Sequence, residues 1–301
     1  MRFRPNGFAE FGTGLPTGAS DAGVAAGPNG SIYYMGSSGM VGRVFADPVI
    51  ARNYKLPPLM GIANAAATTI SSHIVPGEIL SLYGSGIGST EQVTTEIGED
   101  GLVTTELGQV EVRFNGTPGR MLFSSPGQVN VAAPFDLGDG DSVLVEVFHG
   151  GDLLTSLSMN PVNSEPLAFP YQDSTAALNQ DGTVNSKTNP AAPGSVVSVF
   201  LTGAGPMAGA SFQDGEVFDP TTPIADLPTP KTVPVVKDLP STTLEILYYG
   251  QAPGLLAGVV QMNVRLPDRP PRIPGHVDYF YGYLGDFVIP LKIWMAEAAG
   301  Q

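Results

Sequence analysis

The chain of 301 residues contains no cysteine, only three histidines and few charged side chains. The missing cysteines exclude disulfide bonds and thiolate metal sites. His73, His149 and His276 show neither the spacing of zinc ligands nor a neighbouring serine nucleophile motif. No apolar run approaches the roughly 18 residues that a membrane-spanning helix needs. We therefore expect neither an enzyme nor a transmembrane protein.

The residues that are present favour a folded chain with many turns. The sequence has 38 glycines and 28 prolines, and hydrophobic residues make up 42% of it, enough to bury a core. The formal net charge is -14. A surface of that sign repels phosphate backbones, so we expect no nucleic-acid partner.

Two anchor motifs recur in the same order along the chain. PGEILSLYGSGIG at residues 76–88 matches PGSVVSVFLTGAG at residues 193–205, and QVNVAAP at residues 128–134 matches QMNVRLP at residues 261–267. The interval between the anchors is longer in the second copy, mainly because of the proline-rich residues 205–240. The recurrence predicts two structural repeats, with an irregular excursion at residues 206–240 because proline blocks ladder donors and helix interiors.

Short runs of β-branched and aromatic residues between turn signals predict strands at residues 79–83, 110–114, 143–148, 196–200 and 244–249. The only helix-like text is GIANAAA at residues 61–67. This pattern predicts an all-β fold of two tandem immunoglobulin-like β-sandwich repeats, at residues 61–170 and 171–301. Residues 1–60 are predicted to form a linker and a short β-hairpin segment, because residues 23–45 suggest a strand, a turn and a strand.

Four stretches carry a family resemblance: NAAATTISSHIVPGEILSLYGSGIG, SSPGQVNVAAPF, ALNQDGTVNSKTNPAAPGSVVSVFLTGAG and YYGQAPGLLAGVVQMNVRLPD. Together they resemble the Solibacter-type uncharacterised C-terminal domain family of acidobacterial secreted proteins. The resemblance implies an extracellular or cell-surface protein whose C-terminal part is a pair of immunoglobulin-like units, with no established catalytic residues. Many members carry an NHL-type β-propeller before this domain, and residues 23–45 look like the tail of its last blade. The first residues lack the apolar segment of a signal peptide, so we expect a fragment of a longer protein.

Acidic loops are the candidate metal sites. Carboxylate and amide oxygens of the kind that calcium takes occur in DLGDGDS and NQDGTVN, at Asp136, Asp139, Asp141 and Asp181, with Asn179 and Asn185 beside the last. The same Asp-Gly steps are also typical of turns between strands. Neither loop has the full EF-hand pattern, so calcium is a possible cofactor and no other cofactor is expected.

Paired amides recur in both copies of the second anchor. Gln128 and Asn130, like Gln261 and Asn263, are two positions apart and therefore share one face of a strand. Such a pair either satisfies neighbouring backbone groups or forms a polar surface for a ligand.

An aromatic cluster lies near the end of the chain, in DYFYGYLGDF, with Trp294 following. Strand alternation places Tyr279, Tyr281 and Tyr283 on one face and Phe280 on the other. The cluster either closes a core or offers tyrosines that could stack on a glycan or seat a surface protein.

We predict a non-catalytic binding or adhesion module, since loops and sheet faces are present without a recognisable catalytic set. The alternatives are a structural spacer or sorting domain of a larger secreted propeller protein, and an enzyme acting on glycans through paired carboxylates. The sequence leaves the oligomeric state open.

Overall fold

The computed structural model describes the backbone of five strands within residues 1–59 and, with side chains, residues 60–297 except residues 68, 210–211 and 239–241. The chain divides into two compact units, Met1–Leu59 and Met60–Gln301. Among the residues described, no helix is long and apolar enough to cross a membrane.

The first unit contains two small sheets. In one, β1 (Arg2–Phe3) pairs with β2 (Ala9–Glu10). In the other, β3 (Val24–Ala26), β4 (Ser31–Met35) and β5 (Val41–Phe45) are antiparallel neighbours. The structure therefore adds a third strand to the strand, turn and strand that the sequence predicts here. Asn29-Gly30, for which the sequence predicts a hairpin-type turn, lies outside the described residues, and the likeness to a propeller blade stays a prediction.

The second unit begins with two sheets that share one core, the first sheet pair. Its strands are β6 (Gly61–Asn64), β7 (His73–Ile74), β8 (Ile79–Tyr83), β9 (Val93–Thr94), β10 (Glu106–Leu107), β11 (Val110–Phe114), β12 (Thr117–Pro118), β13 (Arg120–Ser125), β14 (Gln128–Ala132), β15 (Val143–His149) and β16 (Asp152–Pro161). One sheet has the order β6-β8-β14-β13-β9; the other has β10-β11-β15-β16-β7, with β12 beside β11. Leu82 of the first sheet and Val112 and Val145 of the second are buried in the shared core, as in a sandwich.

The second sheet pair repeats this arrangement. The strands of this part of the chain are β17 (Leu167–Ala168), β18 (Pro170–Tyr171), β19 (Ser174–Thr175), β20 (Ala177–Leu178), β21 (Val196–Thr202), β22 (Met207–Ala208), β23 (Thr229–Pro230), β24 (Val235–Asp238), β25 (Thr242–Thr243), β26 (Ile246–Gln251), β27 (Val260–Arg265), β28 (Asp278–Leu284) and β29 (Phe287–Ile293). Of these, β18 with β19 and β22 with β23 form two small sheets outside the pair. One sheet has the order β17-β21-β27-β26, with β20 also beside β21, and the other has β25-β24-β28-β29. Val199, Met262 and Phe280 lie in their common core.

The predicted all-β sandwich class is confirmed. In the described part of the chain the helical structure amounts to one short 3-10 helix, Ile224–Asp226. The five strands predicted from composition lie within two residues of β8, β11, β15, β21 and β26. The helix-like residues 61–67 instead begin with β6, because Ile62 faces the core across from Leu82. The immunoglobulin type of the repeats and the domain boundaries stay predictions.

The two sheet pairs use the repeated motifs in the same register. In the first, Asn130 of β14 lies opposite Ser81 of β8, and in the second Asn263 of β27 lies opposite Ser198 of β21. The register of the preceding strand also shifts at the same place, between Met121 and Phe123 in β13 and between Ile246 and Tyr248 in β26. An identical register and an identical bulge are what two copies of one folding pattern require.

The proline-rich excursion is partly irregular. Residues 212–228 form turns and the 3-10 helix, and they lie against the first sheet pair: the Val103 amide donates to the Gly215 carbonyl at 2.9 Å, and Phe212 meets Phe135 edge-on at 4.7 Å. The expectation of little regular structure in residues 206–240 is wrong where Met207–Ala208 pairs with Thr229–Pro230 and where Val235–Asp238 forms β24. Pro234 precedes this strand and therefore removes no donor from it.

The two sheet pairs are joined through an apolar junction. Ile79 and Ala132 of the first pair share a buried cluster with Ala252, Leu256 and Val259 of the second. The Ile79 amide donates a hydrogen bond of 2.8 Å to the Thr202 hydroxyl oxygen. Buried contacts of this kind hold neighbouring sandwiches in a fixed relation.

Candidate ligand-binding face

The tyrosines of β28 form the most prominent surface feature of the second sheet pair. Tyr279 is 46% exposed, Tyr281 and Tyr283 are half-buried, and all three point away from the core. Phe280 between them is 1% exposed. The period-two prediction for this strand therefore matches the structure. We call the outward surface of β24, β28 and β29 the tyrosine face.

The neighbouring strands complete the tyrosine face. Across β28, Tyr283 lies between Val235 of β24 and Val288 of β29, both of them exposed. Two lysines lie over the rings: the Lys237 Nζ is 5.3 Å from the Tyr283 ring centroid, and the Lys292 Nζ is 5.8 Å from that of Tyr279. The surface thus combines apolar area with ammonium groups, the arrangement in which cation–π attraction operates.

A groove opens at one end of the tyrosine face. Its volume is about 340 Å³, and its lining includes Arg272, Ile273, His276, Tyr279 and Tyr281. Ile273 is 60% exposed, so the wall of the groove is partly apolar. A concave surface with aromatic and polar groups is the common form of a small-ligand site.

An arginine–aspartate network borders the groove, because Arg272 and Asp278 belong to its lining. Arg269 donates two hydrogen bonds of 2.9 Å to Asp238 and one of 2.6 Å to Asp278, and Arg272 also donates to Asp238. Burial acts to raise the pKa of Asp238, but the hydrogen bonds from Arg269 and Arg272 outweigh it and hold the pKa below its ordinary value. The ends of β24 and β28 are thereby held to the segment that carries Arg272 and His276.

The sequence did not identify this network. Its partners Asp238 and Arg269 are 31 positions apart. Asp238 is the last residue of β24, a strand that the surrounding prolines argued against. Trp294 was grouped with the tyrosines, but it is 6% exposed and belongs to the interior.

The acidic loops are apart from the tyrosine face in the chain and make local turns. A carboxylate oxygen of Asp136 accepts the Gly138 amide at 2.9 Å, whereas Asp139 and Asp141 are exposed. Asp181 accepts both the amide and the hydroxyl of Thr183, which lowers the pKa of the Asp181 carboxyl. Within the described residues, no group of three or more histidine, aspartate or glutamate side chains could hold a metal ion. Calcium binding at these loops stays a prediction.

The loop that contains Asp181 borders a second concavity, of about 510 Å³, lined among others by Asn179 and Ser195. In the same loop the side chain of buried Asn185 donates to the Trp294 carbonyl at 2.8 Å and accepts the Trp294 amide at 2.9 Å. The asparagine side chains of this loop therefore form hydrogen bonds with each other and with the backbone, which favours a structural role.

The paired amides behave identically in the two copies. The Gln128 Nε2 donates to the Asn130 Oδ1 at 2.8 Å, and the Gln261 Nε2 donates to the Asn263 Oδ1 at 2.7 Å. All four side chains are half-buried on the outward faces of β14 and β27. This mutual satisfaction agrees with the structural alternative, and a ligand surface at the paired amides stays a prediction.

A buried acid at the junction is the strongest electrostatic anomaly. Glu78 is 3% exposed, and its Oε2 accepts the Val75 amide at 2.9 Å. Burial, helped by the neighbouring charge of Glu165, raises the pKa of Glu78 to about 8. The Asn64 amide acts to lower this pKa, although its Nδ2 makes no hydrogen bond of regular geometry. The sequence placed Glu78 in an ordinary Pro-Gly turn and gave no sign of its burial.

A scan against models of protein families and a search of curated proteins found no match for this chain. The resemblance to the Solibacter-type C-terminal domain family stays a prediction.

Proposed function

We propose that the second unit is a non-catalytic binding module and that it takes its ligand on the tyrosine face. The observation that carries the proposal is that Tyr279, Tyr281 and Tyr283 stand side by side on the outside of one strand while their neighbour Phe280 fills the core. Tyrosines offer large contact area for a small loss of side-chain entropy, and their rings can stack on the apolar faces of sugars. A glycan or a surface protein is therefore the expected partner.

The strand order supports an immunoglobulin-like assignment of both sheet pairs. Constant-type immunoglobulin sandwiches place strands A, B, E and D in one sheet and C, F and G in the other. The order β6-β8-β14-β13 opposite β11-β15-β16 follows this scheme, as does β20-β21-β27-β26 opposite β24-β28-β29. Together with the sequence resemblance, it supports the proposal of a secreted or cell-surface protein of the Solibacter-type family.

A structural spacer or sorting domain is the second candidate function. The apolar junction between the sheet pairs favours it, because Ile79, Leu256 and Val259 hold two sandwiches as one unit. A spacer needs this rigidity but has no need of an exposed aromatic face. Binding at the tyrosine face therefore separates the two functions.

The test is a polysaccharide binding screen on the unmodified chain and on a Tyr281→Ala, Tyr283→Ala double variant. We expect the unmodified chain to bind at least one polysaccharide and the double variant to lose that binding. A Tyr171→Ala variant is the matched control, since Tyr171 is a 40% exposed tyrosine of β18 outside the face. Thermal unfolding checks that each variant is folded.

Equal binding by the folded double variant would show that the tyrosine face is not the binding site. The loop at Asp136, Asp139 and Asp141 would then be the next candidate. A screen without any binding would favour the spacer. Turnover of a glycan, abolished by changing one acidic residue, would overturn the non-catalytic proposal.

A further inference from the structure

The first sheet pair contains a counterpart of the tyrosine face, and the comparison shows what is particular to the second. The hairpin β15–β16 corresponds to the hairpin β28–β29, and β11 corresponds to β24. The register agrees, because buried Val112 lies opposite Val147 and buried Val236 lies opposite Gly282. The outward residues can therefore be matched one by one: Leu144 with Tyr279, Glu146 with Tyr281, Phe148 with Tyr283, Glu111 with Val235, and Arg113 with Lys237.

In the first sheet pair the outward cation is neutralised. The Arg113 guanidinium lies 4.6 Å above the Phe148 ring and forms a salt bridge of 2.8 Å with Glu111. Glu146 lies directly opposite Arg113 on β15. Two carboxylates thus accompany one cation, as on an ordinary solvated sheet surface.

On the tyrosine face both of these carboxylates are replaced. Val235 stands at the position of Glu111 and Tyr281 at that of Glu146, while Lys237 keeps the cation. A second cation is added, because Lys292 lies opposite Tyr279 where the first pair has Ser158 opposite Leu144. Neither lysine forms a salt bridge with a carboxylate of the described residues, although exposed Asp286 lies in the turn at the end of the hairpin.

This local charge contrasts with the chain as a whole. The formal net charge is -14, so an anionic ligand is repelled by most of the surface. Salt screens exposed charges beyond about 8 Å at physiological ionic strength, so the nearest cations decide attraction at contact. Lys237 and Lys292 therefore make the tyrosine face locally attractive to an anion.

We infer that the ligand of the tyrosine face is an acidic polysaccharide, whose sugar rings stack on the tyrosines and whose carboxylate or sulfate groups pair with Lys237 and Lys292. The inference rests on the proposed binding function and names its ligand class. A nucleic acid also combines stacking with negative charge, but its affinity depends on many phosphate contacts and released counterions. Two lysines on a chain of net charge -14 can supply few of these phosphate contacts, so we take the polysaccharide as the ligand and make nucleic acid an outcome of the test.

The experiment compares polygalacturonate with dextran, a neutral polysaccharide of similar chain length, at low and at high salt. The variants are Lys237→Gln with Lys292→Gln, and the same two positions changed to arginine. Lys187→Gln is the matched control, because the Lys187 ammonium also lies 5.8 Å from an aromatic centroid, that of Trp294, but outside the face.

We expect polygalacturonate to bind and the glutamine double variant to weaken its binding about tenfold at low salt, since each exposed charge pair contributes a modest amount. The arginine variant and Lys187→Gln should bind as the unmodified chain does. High salt should remove the difference between the glutamine variant and the unmodified chain.

Equal affinity for dextran without salt dependence would overturn the acidic class and leave the proposed binding function standing. Absence of binding to either polysaccharide, with the chain folded, would overturn the acidic polysaccharide as ligand, whereas the proposed binding function is decided by the wider polysaccharide screen. Binding of single-stranded poly(dT) as tight as that of polygalacturonate, and equally sensitive to the glutamine variant, would replace the polysaccharide by nucleic acid.

Discussion

Replacing Glu78 by glutamine should stabilise the protein at alkaline pH. Glu78 is buried at the junction, and the described groups facing it are the Val75 amide, Asn64 and the like charge of Glu165, which itself pairs with His73 at 3.1 Å. Its pKa of about 8 in the folded state lies above the ordinary 4.5. Because the folded pKa is raised, the stability linked to protonated Glu78 is complete below pH 4.5 and is lost as the pH rises through 8.

The size of the effect follows from the shift. One pKa unit corresponds to about 1.4 kcal/mol, so the raised pKa of Glu78 lowers the free energy of unfolding, relative to its value below pH 4.5, by roughly 5 kcal/mol above pH 8 and by about 3 kcal/mol at pH 7. Glu78→Gln keeps an oxygen that can accept the Val75 amide but cannot ionise. The free energy of unfolding of Glu78→Gln should therefore not show this decrease as the pH rises.

Urea unfolding between pH 4 and pH 9 measures the difference. Glu99→Gln, a change of an exposed glutamate, is the control and should follow the unmodified chain. If the curves for Glu78→Gln and the unmodified chain stay parallel across this range, Glu78 does not have a raised pKa and the account of the junction is wrong.

Two further predictions concern packing, and both are measured as the free energy of unfolding in urea. Phe218→Ala should lower it by about 3 kcal/mol, because Phe218 is 8% exposed and anchors the excursion among apolar neighbours that include Phe135; a loss below 1 kcal/mol would mean that the excursion is loosely held. Asn185→Ala should lower it by roughly 2 kcal/mol, because both backbone groups of Trp294 lose their partner; an unchanged value would show that water replaces the amide.

The repeated strands could be predicted because their signals are local. β8 and β21 are short β-branched runs between Pro-Gly and glycine-rich turns, and the motifs of β14 and β27 recur in order. Period-two alternation likewise separated Tyr279 from Phe280. These features depend on neighbouring residues alone.

The features that the sequence concealed depend on distant partners. β24 exists because it pairs with β28, some 40 positions later, and the prolines before it masked its short run. β6 is a strand because it pairs with β8. This pairing overrides the helical preference of its alanine-rich sequence. The raised pKa of Glu78 depends on its burial and on distant Glu165, and the lowered pKa of Asp238 depends on distant Arg269.

The central claim, that ligand binds on β24, β28 and β29, is tested most directly by mapping the contact surface. Amide resonances of the isotopically labelled chain would be followed during titration with an oligogalacturonate. We expect the shifted amides to cluster on Val235–Asp238, Asp278–Leu284 and Phe287–Ile293 and to leave Gln128–Ala132 unchanged. The account would be contradicted by shifts confined to the strands of the paired amides, β14 and β27, or to the acidic loops. The absence of shifts at millimolar ligand would contradict it as well.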